Sequence, residues 1–255
     1  MGMLSYTQRL TTAVSETSAL VTALDGADLS APVPTSPGWT LNQLLRHLGF
    51  THRWIEHLVR ERVPTADRSL SHSVEGIAGE SAAELGPWLL EGVELFEKAM
   101  HEAAGLDDVA VLVPGESGPR YWSRRIAHET WMHRYEAFNA LGMPFSINLD
   151  VAWDGLYEWM GPILNQRRAA LGPLLGQGHK LRFFASDYDY SPRWTVDLSG
   201  DVPVALRDTK VRCSVYVRAP IADLVLILVG RRIPARSEVT GDKKLLRTFL
   251  ETVRV

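Results

Sequence analysis

The residues best suited to chemistry are two histidines and a glutamate in two short segments, 44–48 and 125–134. In the second segment, Glu129 and His133 stand four positions apart in a stretch of helical character. A helix turns by about 100° per residue, so this spacing stacks both side chains on one face, close enough to hold one ion. A third ligand must come from elsewhere, and His47 in the first segment is the best donor. A His/Glu/His set leaves coordination positions open for water or substrate, as in catalytic zinc sites.

Two other histidines are rivals for the place of a ligand. His128 precedes Glu129 by one residue, so its side chain points about 100° away from the predicted ligand face. His52 follows His47 by five residues and is also off that face. We expect both to lie behind the ligands or at the surface, although either stays open as an alternative donor.

The composition narrows the class of protein to which the chain can belong. The 255 residues include 45% hydrophobic and 22% charged residues, which is typical of a globular protein large enough for one or two domains. A net charge of -3 offers no electrostatic case for nucleic acid or an anionic membrane as partner. No apolar run approaches the ~20 residues that span a bilayer. The single cysteine, Cys213, excludes an internal disulfide. Because residues 1–10 also lack a signal-peptide pattern, we expect a cytoplasmic protein.

The elements that must position these residues are helical before Gly172 and mixed after it. Apolar periodicity and capping signals predict five helices, at 5–24, 40–63, 81–104, 121–141 and 150–171. Glycines and a proline between 172 and 178 indicate a linker. Beyond it, alternating patterns predict strands at 180–185, 193–198 and 211–217, and helices at 220–230 and 242–253.

Several motifs together resemble the mycothiol-dependent maleylpyruvate isomerase family. They are PVPTSPGWTL at 32–41, LRHL at 45–48, RRIAHE at 124–129, HR at 133–134, VRAP at 217–220 and VTGD at 239–242. The likeness extends over nearly the whole chain. It implies a two-domain α+β protein, with a DinB-like up-down helical bundle at 1–172 and a small C-terminal α+β domain at 178–255.

The resemblance also implies a site and its cofactors. In this family a divalent metal, usually zinc, is held by residues that correspond to His47, Glu129 and His133, the trio that spacing suggests. Manganese, nickel or iron would suit the same ligands. The cosubstrate is mycothiol, a low-molecular-weight thiol of actinobacteria. The second domain is thought to supply an arginine near the site, which points to Arg231 as a catalytic residue, with Arg232 as the alternative.

Three reactions are compatible with such a ligand set. Positive charge at the metal would favour loss of the thiol proton, and the thiolate could add to a conjugated double bond. Rotation and expulsion of the thiolate would then give isomerisation, and retention of the adduct would give S-transfer. A metal-bound hydroxide would instead make a hydrolase. A non-catalytic protein that binds a metal or a small ligand is an alternative of another class.

The partners expected from this reading are an anionic small-molecule substrate and the thiol, with no nucleic acid and no membrane. Arginine grips carboxylates with two parallel hydrogen bonds, so Arg53 and Arg134 are further candidates for binding the thiol. We expect a monomer, because a second domain could cover the surface through which such bundles form dimers, and a dimer is the alternative.

Overall fold

The structure, a computed structural model, describes residues 3–63, 81–106, 109–112, 118–187, 193–231 and 237–254. The chain divides into a helical unit, Leu4–Ser146, and an α+β unit that contains Ile147–Val255. The predicted fold class, a helical bundle followed by a small α+β part, is confirmed. The division falls between residues 146 and 147, earlier than the boundary predicted at 172.

The described residues of the helical unit form four long helices. They are α1, Tyr6–Thr22; α2, Leu41–Arg60; α3, Ala82–Glu102; and α4, Gly118–Ala140. Helix α1 packs against α3 and α4, and α2 packs against the same two helices. Helix α4 is buried along almost its entire length, so its polar side chains must find partners inside the bundle.

Helix α2 begins where its sequence signal predicts. Thr40 is the N-cap: its hydroxyl accepts a hydrogen bond from the Gln43 amide, and the Gln43 side chain accepts one from the Thr40 amide. This capping box satisfies two amide groups that would otherwise lack partners at the helix start. Leucines 41, 44, 45 and 48 are buried on one side of the helix. That burial fixes the rotation of α2 and therefore the direction of His47.

The α+β unit is built on a five-stranded sheet with the order β3-β2-β1-β4-β5. The strands are β1, Lys180–Ala185; β2, Arg193–Asp197; β3, Val204–Arg207; β4, Val215–Ala219; and β5, Glu238–Gly241. Only β1 and β4 run parallel within it. The helices of this unit include α5, Leu149–Glu158; the short α6, Leu164–Gln166, and α7, Arg168–Leu171; then α8, Ile221–Leu228, and α9, Lys243–Thr252.

Helix α5 belongs to the second unit because it packs against α8. The single helix predicted over 150–171 is wrong: a π-helical turn at Trp159–Ile163 interrupts it, and only short helical pieces follow. Pro162 lies inside that turn. Proline has no amide hydrogen to donate, so the regular ladder of helix bonds cannot continue through it.

The strand predicted over 211–217 lies further along, at Val215–Ala219, and β3 and β5 escaped prediction because each has only four residues. No helix within the described residues is both long and apolar enough to cross a bilayer.

Candidate functional site

The three predicted ligands come together where α2 faces α4. Glu129 and His133 share one face of α4, with 3.4 Å between Glu129 Oε2 and His133 Nε2. The ring of His47 on α2 lies with its centroid 5.2 Å from that of His133, nearly perpendicular to it. The His47 ring also contacts Trp39 edge to face, with 5.3 Å between the ring centroids. Packing of the two helices thus joins side chains that are distant in sequence.

The carboxylate of Glu129 forms an ion pair with Arg125 of the same helix. Arg125, one turn earlier, is buried and donates from Nε to Glu129 Oε1 at 3.0 Å. Burial by itself would raise the pKa of Glu129, but the charges of Arg125, His133 and His47 hold it well below its usual range. Glu129 is therefore an anion whose second oxygen faces His133.

Sequence reasoning missed a second carboxylate at this site, that of Glu136. It is fully buried, and its Oε2 lies 2.6 Å from His133 Nδ1. Its Oε1 accepts hydrogen bonds from the hydroxyls of Thr35 and Ser36, at 3.3 and 3.2 Å. The signal available in the sequence was the spacing of three residues after His133, which places two side chains on neighbouring positions of a helix surface.

Each nitrogen of the His133 ring therefore faces a carboxylate. Burial favours the neutral ring, but Glu136 and Glu129 outweigh it and raise the pKa of His133 to about 9. In the metal-free protein the imidazole is thus a cation at neutral pH. Binding of a metal at Nε2 would release that proton, because an imidazole coordinates only in its neutral form.

The donor set suits zinc or a similar ion, which binds imidazole nitrogen and carboxylate oxygen. Glu136 behind His133 is also typical of metal sites, in which a ligating histidine gives its other N–H to a carboxylate. Nevertheless, no three His, Cys, Asp or Glu side chains among the described residues are already spaced to hold an ion. For metal to bind, the direct contact of Glu129 with His133 must give way to separate bonds from each residue.

The rival histidines are engaged by other groups. His52 is fully buried, with its Nε2 3.0 Å from the hydroxyl of Thr130. Burial, together with the charges of Arg53 and His133, lowers the pKa of His52 to about 3, so its ring is neutral. His128 accepts a hydrogen bond at Nδ1 from Trp131 Nε1, at 2.9 Å.

The two arginines predicted to bind the thiol form hydrogen bonds and ion pairs with other residues of the protein. Arg53 donates to the Trp88 carbonyl and to Glu91, and it lies over the Trp88 ring. Arg134 is buried; it pairs with Glu16 at 2.5 Å, donates to the Ser146 carbonyl and stacks on two phenylalanines. Their role in ligand binding remains a prediction.

Arg231 lies in the α+β unit, at the end of the turn that follows α8. Its amide donates to the Leu226 carbonyl, and its guanidinium donates to the Val229 carbonyl at 3.2 Å. Arg232, the alternative, lies outside the described residues. The choice between them remains a prediction.

Comparisons with known proteins agree with the resemblance read from the motifs. The family model described as "Mycothiol maleylpyruvate isomerase N-terminal domain" matches residues 10–138. The chain is a member of this family. The four helices described for the first unit and the predicted ligand trio fall largely or wholly within the matched range.

Solved structures show the same fold over almost the full length. A crystal structure of the mycothiol-dependent maleylpyruvate isomerase matches with a TM-score of 0.66 and 15% identity, covering 95% of this chain and 97% of that one. A histidine-to-alanine mutant of that enzyme matches with a TM-score of 0.65, at the same identity and coverage. No curated protein matches the sequence.

Proposed function

We propose that this protein is a thiol-dependent enzyme in which His47, Glu129 and His133 hold a divalent metal, most simply zinc. The observation that carries the proposal is that these three side chains meet between α2 and α4, His133 buried and the other two partly buried, with a fully buried carboxylate behind His133. Membership of the mycothiol maleylpyruvate isomerase family supports a mycothiol-type thiol as cosubstrate.

The metal and the residues around it would have different roles at this site. A bound divalent ion would supply positive charge that lowers the pKa of a thiol entering its open coordination position. Arg125 keeps Glu129 anionic, so that the carboxylate can serve as a ligand at neutral pH. The site is partly buried, and the lower local dielectric strengthens each of these interactions.

The reaction that we propose is isomerisation of an electron-poor cis alkene, of the kind named for the family. The thiolate sulfur forms a bond to one alkene carbon, and the π-electron pair moves onto the conjugated carbonyl. The resulting single bond rotates. The pair then returns, the carbon–sulfur bond breaks, and the trans isomer leaves with the thiolate regenerated. We further propose that Arg231 holds an anionic group of the substrate by charge-assisted hydrogen bonds.

The metal part is tested by elemental analysis of protein purified without chelator or polyhistidine tag. We expect about one zinc per chain in the wild type and none in His47→Ala or His133→Ala. His57→Ala is the matched control, because His57 is on α2 as well but is exposed. It should keep the metal. Absence of metal from reconstituted wild type, or full occupancy in His133→Ala, would overturn the assignment.

The reaction is tested by supplying maleylpyruvate with and without mycothiol and following both compounds by mass spectrometry. An isomerase gives the trans product without consuming thiol. Stoichiometric loss of thiol with a stable adduct would identify an S-transferase, the alternative in detoxification or secondary metabolism. Turnover of neither compound, with ligand affinity that survives removal of thiol, would identify a binding protein.

A further inference from the structure

We propose that Glu136 is a positioning residue for the metal site, which holds the His133 ring with Nδ1 protonated and Nε2 directed toward the metal. This inference rests on the proposed metal-dependent function and adds a residue outside the ligand trio. Its basis is geometric: the Oε2 of a fully buried carboxylate lies 2.6 Å from Nδ1. That distance belongs to a charge-assisted hydrogen bond, which is about twice as strong as a neutral one.

The carboxylate of Glu136 is itself held in place by a separate part of the chain. The hydroxyls of Thr35 and Ser36 donate to Oε1, while Oε2 faces the histidine. These two residues lie in the loop before α2, which is closed by a bridge between Pro32 and Thr40. The two bonds from the loop to Oε1 favour the rotamer in which Oε2 faces the ring.

Local packing alone does not account for a glutamate at this position. A carboxylate that leaves water costs several kcal/mol, and an apolar side chain of similar size would avoid that cost. The cost is repaid where the carboxylate orients a ligand, since it selects the tautomer and raises the basicity of the ring nitrogen that binds metal. The burial of Glu136 is therefore consistent with its proposed role as a positioning residue.

The first test is the zinc dissociation constant, measured by competition with a chromophoric chelator. Loss of an orienting carboxylate typically weakens metal binding by about 10- to 100-fold, and we expect this for Glu136→Ala. Glu136→Gln keeps an acceptor oxygen and should fall between wild type and Glu136→Ala. The double variant Thr35→Val, Ser36→Ala should show a smaller loss than Glu136→Ala.

Glu16→Gln is the matched control. Glu16 is also a largely buried glutamate of the helical unit, but its partner is Arg134. The Glu16→Gln variant should have a lower free energy of unfolding and an unchanged zinc affinity. If Glu16→Gln weakens zinc binding as much as Glu136→Ala does, the effect is one of general stability and the proposal is overturned. Wild-type affinity in Glu136→Ala would also overturn it.

A second readout separates positioning from a structural role. In protein loaded with ¹¹³Cd and labelled with ¹⁵N, NMR should show scalar coupling between the metal and Nε2 of His133 in the wild type. In Glu136→Ala we expect this single coupling to be weakened or divided between the two ring nitrogens. Unchanged coupling through Nε2 would show that Glu136 does not choose the ligating atom.

Failure of the metal site itself leads to a distinguishable result. If the wild type binds neither zinc nor cadmium, the ¹⁵N shifts of His133 are measured above pH 10 in metal-free protein, where the ring is neutral. A change from the Nδ1–H form in wild type to the Nε2–H form in Glu136→Ala would sustain the positioning role while the proposed function falls. No change would overturn both.

Discussion

His133 and Arg134 are neighbours in α4, and the environments of their side chains differ in what they permit. Both side chains are about 9% exposed, and each contacts a carboxylate at 2.5–2.6 Å. Around Arg134, the Glu16 carboxylate, a carbonyl and two aromatic rings surround the guanidinium. Around His133, Glu136 takes one ring nitrogen and Glu129 faces the other.

The difference shows that burial and pairing do not by themselves make a functional site. A guanidinium stays protonated in proteins, so Arg134 offers no lone pair to a metal ion and remains the ion-pair partner of Glu16. An imidazole can exchange its proton for a metal ion, so the same kind of burial leaves His133 available for coordination. The chemistry of one side chain separates a structural ion pair from a candidate metal ligand.

The largest expected effect comes from breaking the His133 side of this comparison. His133→Ala should lose bound zinc completely and with it any thiol-dependent turnover, because it removes one of the three proposed protein ligands. Elemental analysis and an activity assay on the same preparation measure both losses. Circular dichroism must show a folded protein, since the substitution also deprives Glu136 of its partner.

Breaking the Arg134 side should change stability and leave the metal in place. Arg134→Met leaves the Glu16 carboxylate buried without its cation, which should lower the free energy of unfolding by about 3 kcal/mol. Urea denaturation in the presence of chelator measures the loss, and zinc stoichiometry is measured on the folded protein. Loss of zinc without loss of stability would reverse the roles assigned to these two residues.

His52 sharpens the comparison, because it is a buried histidine with a hydroxyl partner in place of carboxylates. Its folded pKa of about 3 lies below the unfolded value near 6.5, so the unfolded chain binds the proton first. Stability from this group is therefore lost as pH falls from about 6.5 toward 3, by roughly 1 kcal/mol per pH unit. In His52→Gln this component should disappear. Denaturation of metal-free protein between pH 6.5 and 5 tests it, and parallel curves for the two proteins would contradict it.

The smallest effect is expected at His128, the rival that lies beside Glu129. His128→Phe removes the acceptor for Trp131 Nε1, which should cost about 1 kcal/mol of unfolding free energy. Thermal denaturation measures this cost, and zinc content should equal that of the wild type. A variant that folds but lacks zinc would make His128 a ligand and would break the trio.

Local signals predicted the fold well wherever an element is long and capped. Helix α2 begins at the capping box read from Thr40 and Gln43, and β1 has the predicted bounds. The short strand β5 carries no comparable signal, because its extended form depends on pairing with β4, which precedes it by about twenty residues. Pro162 is a helix-breaking signal in the sequence, but the apolar pattern continues on both sides of it and favoured a single helix.

Helical periodicity by itself determined that Glu129 and His133 share a face, because an i,i+4 spacing fixes that geometry in any helix. Only the tertiary structure decided that the His47 ring contacts that of His133, while His52 is bonded to Thr130 and His128 to Trp131. It also brought Thr35 to Glu136 across 101 positions of the chain. Such contacts depend on how α2, its preceding loop and α4 pack together. Contacts between residues far apart in the chain produce no periodic pattern in the sequence from which they could be predicted.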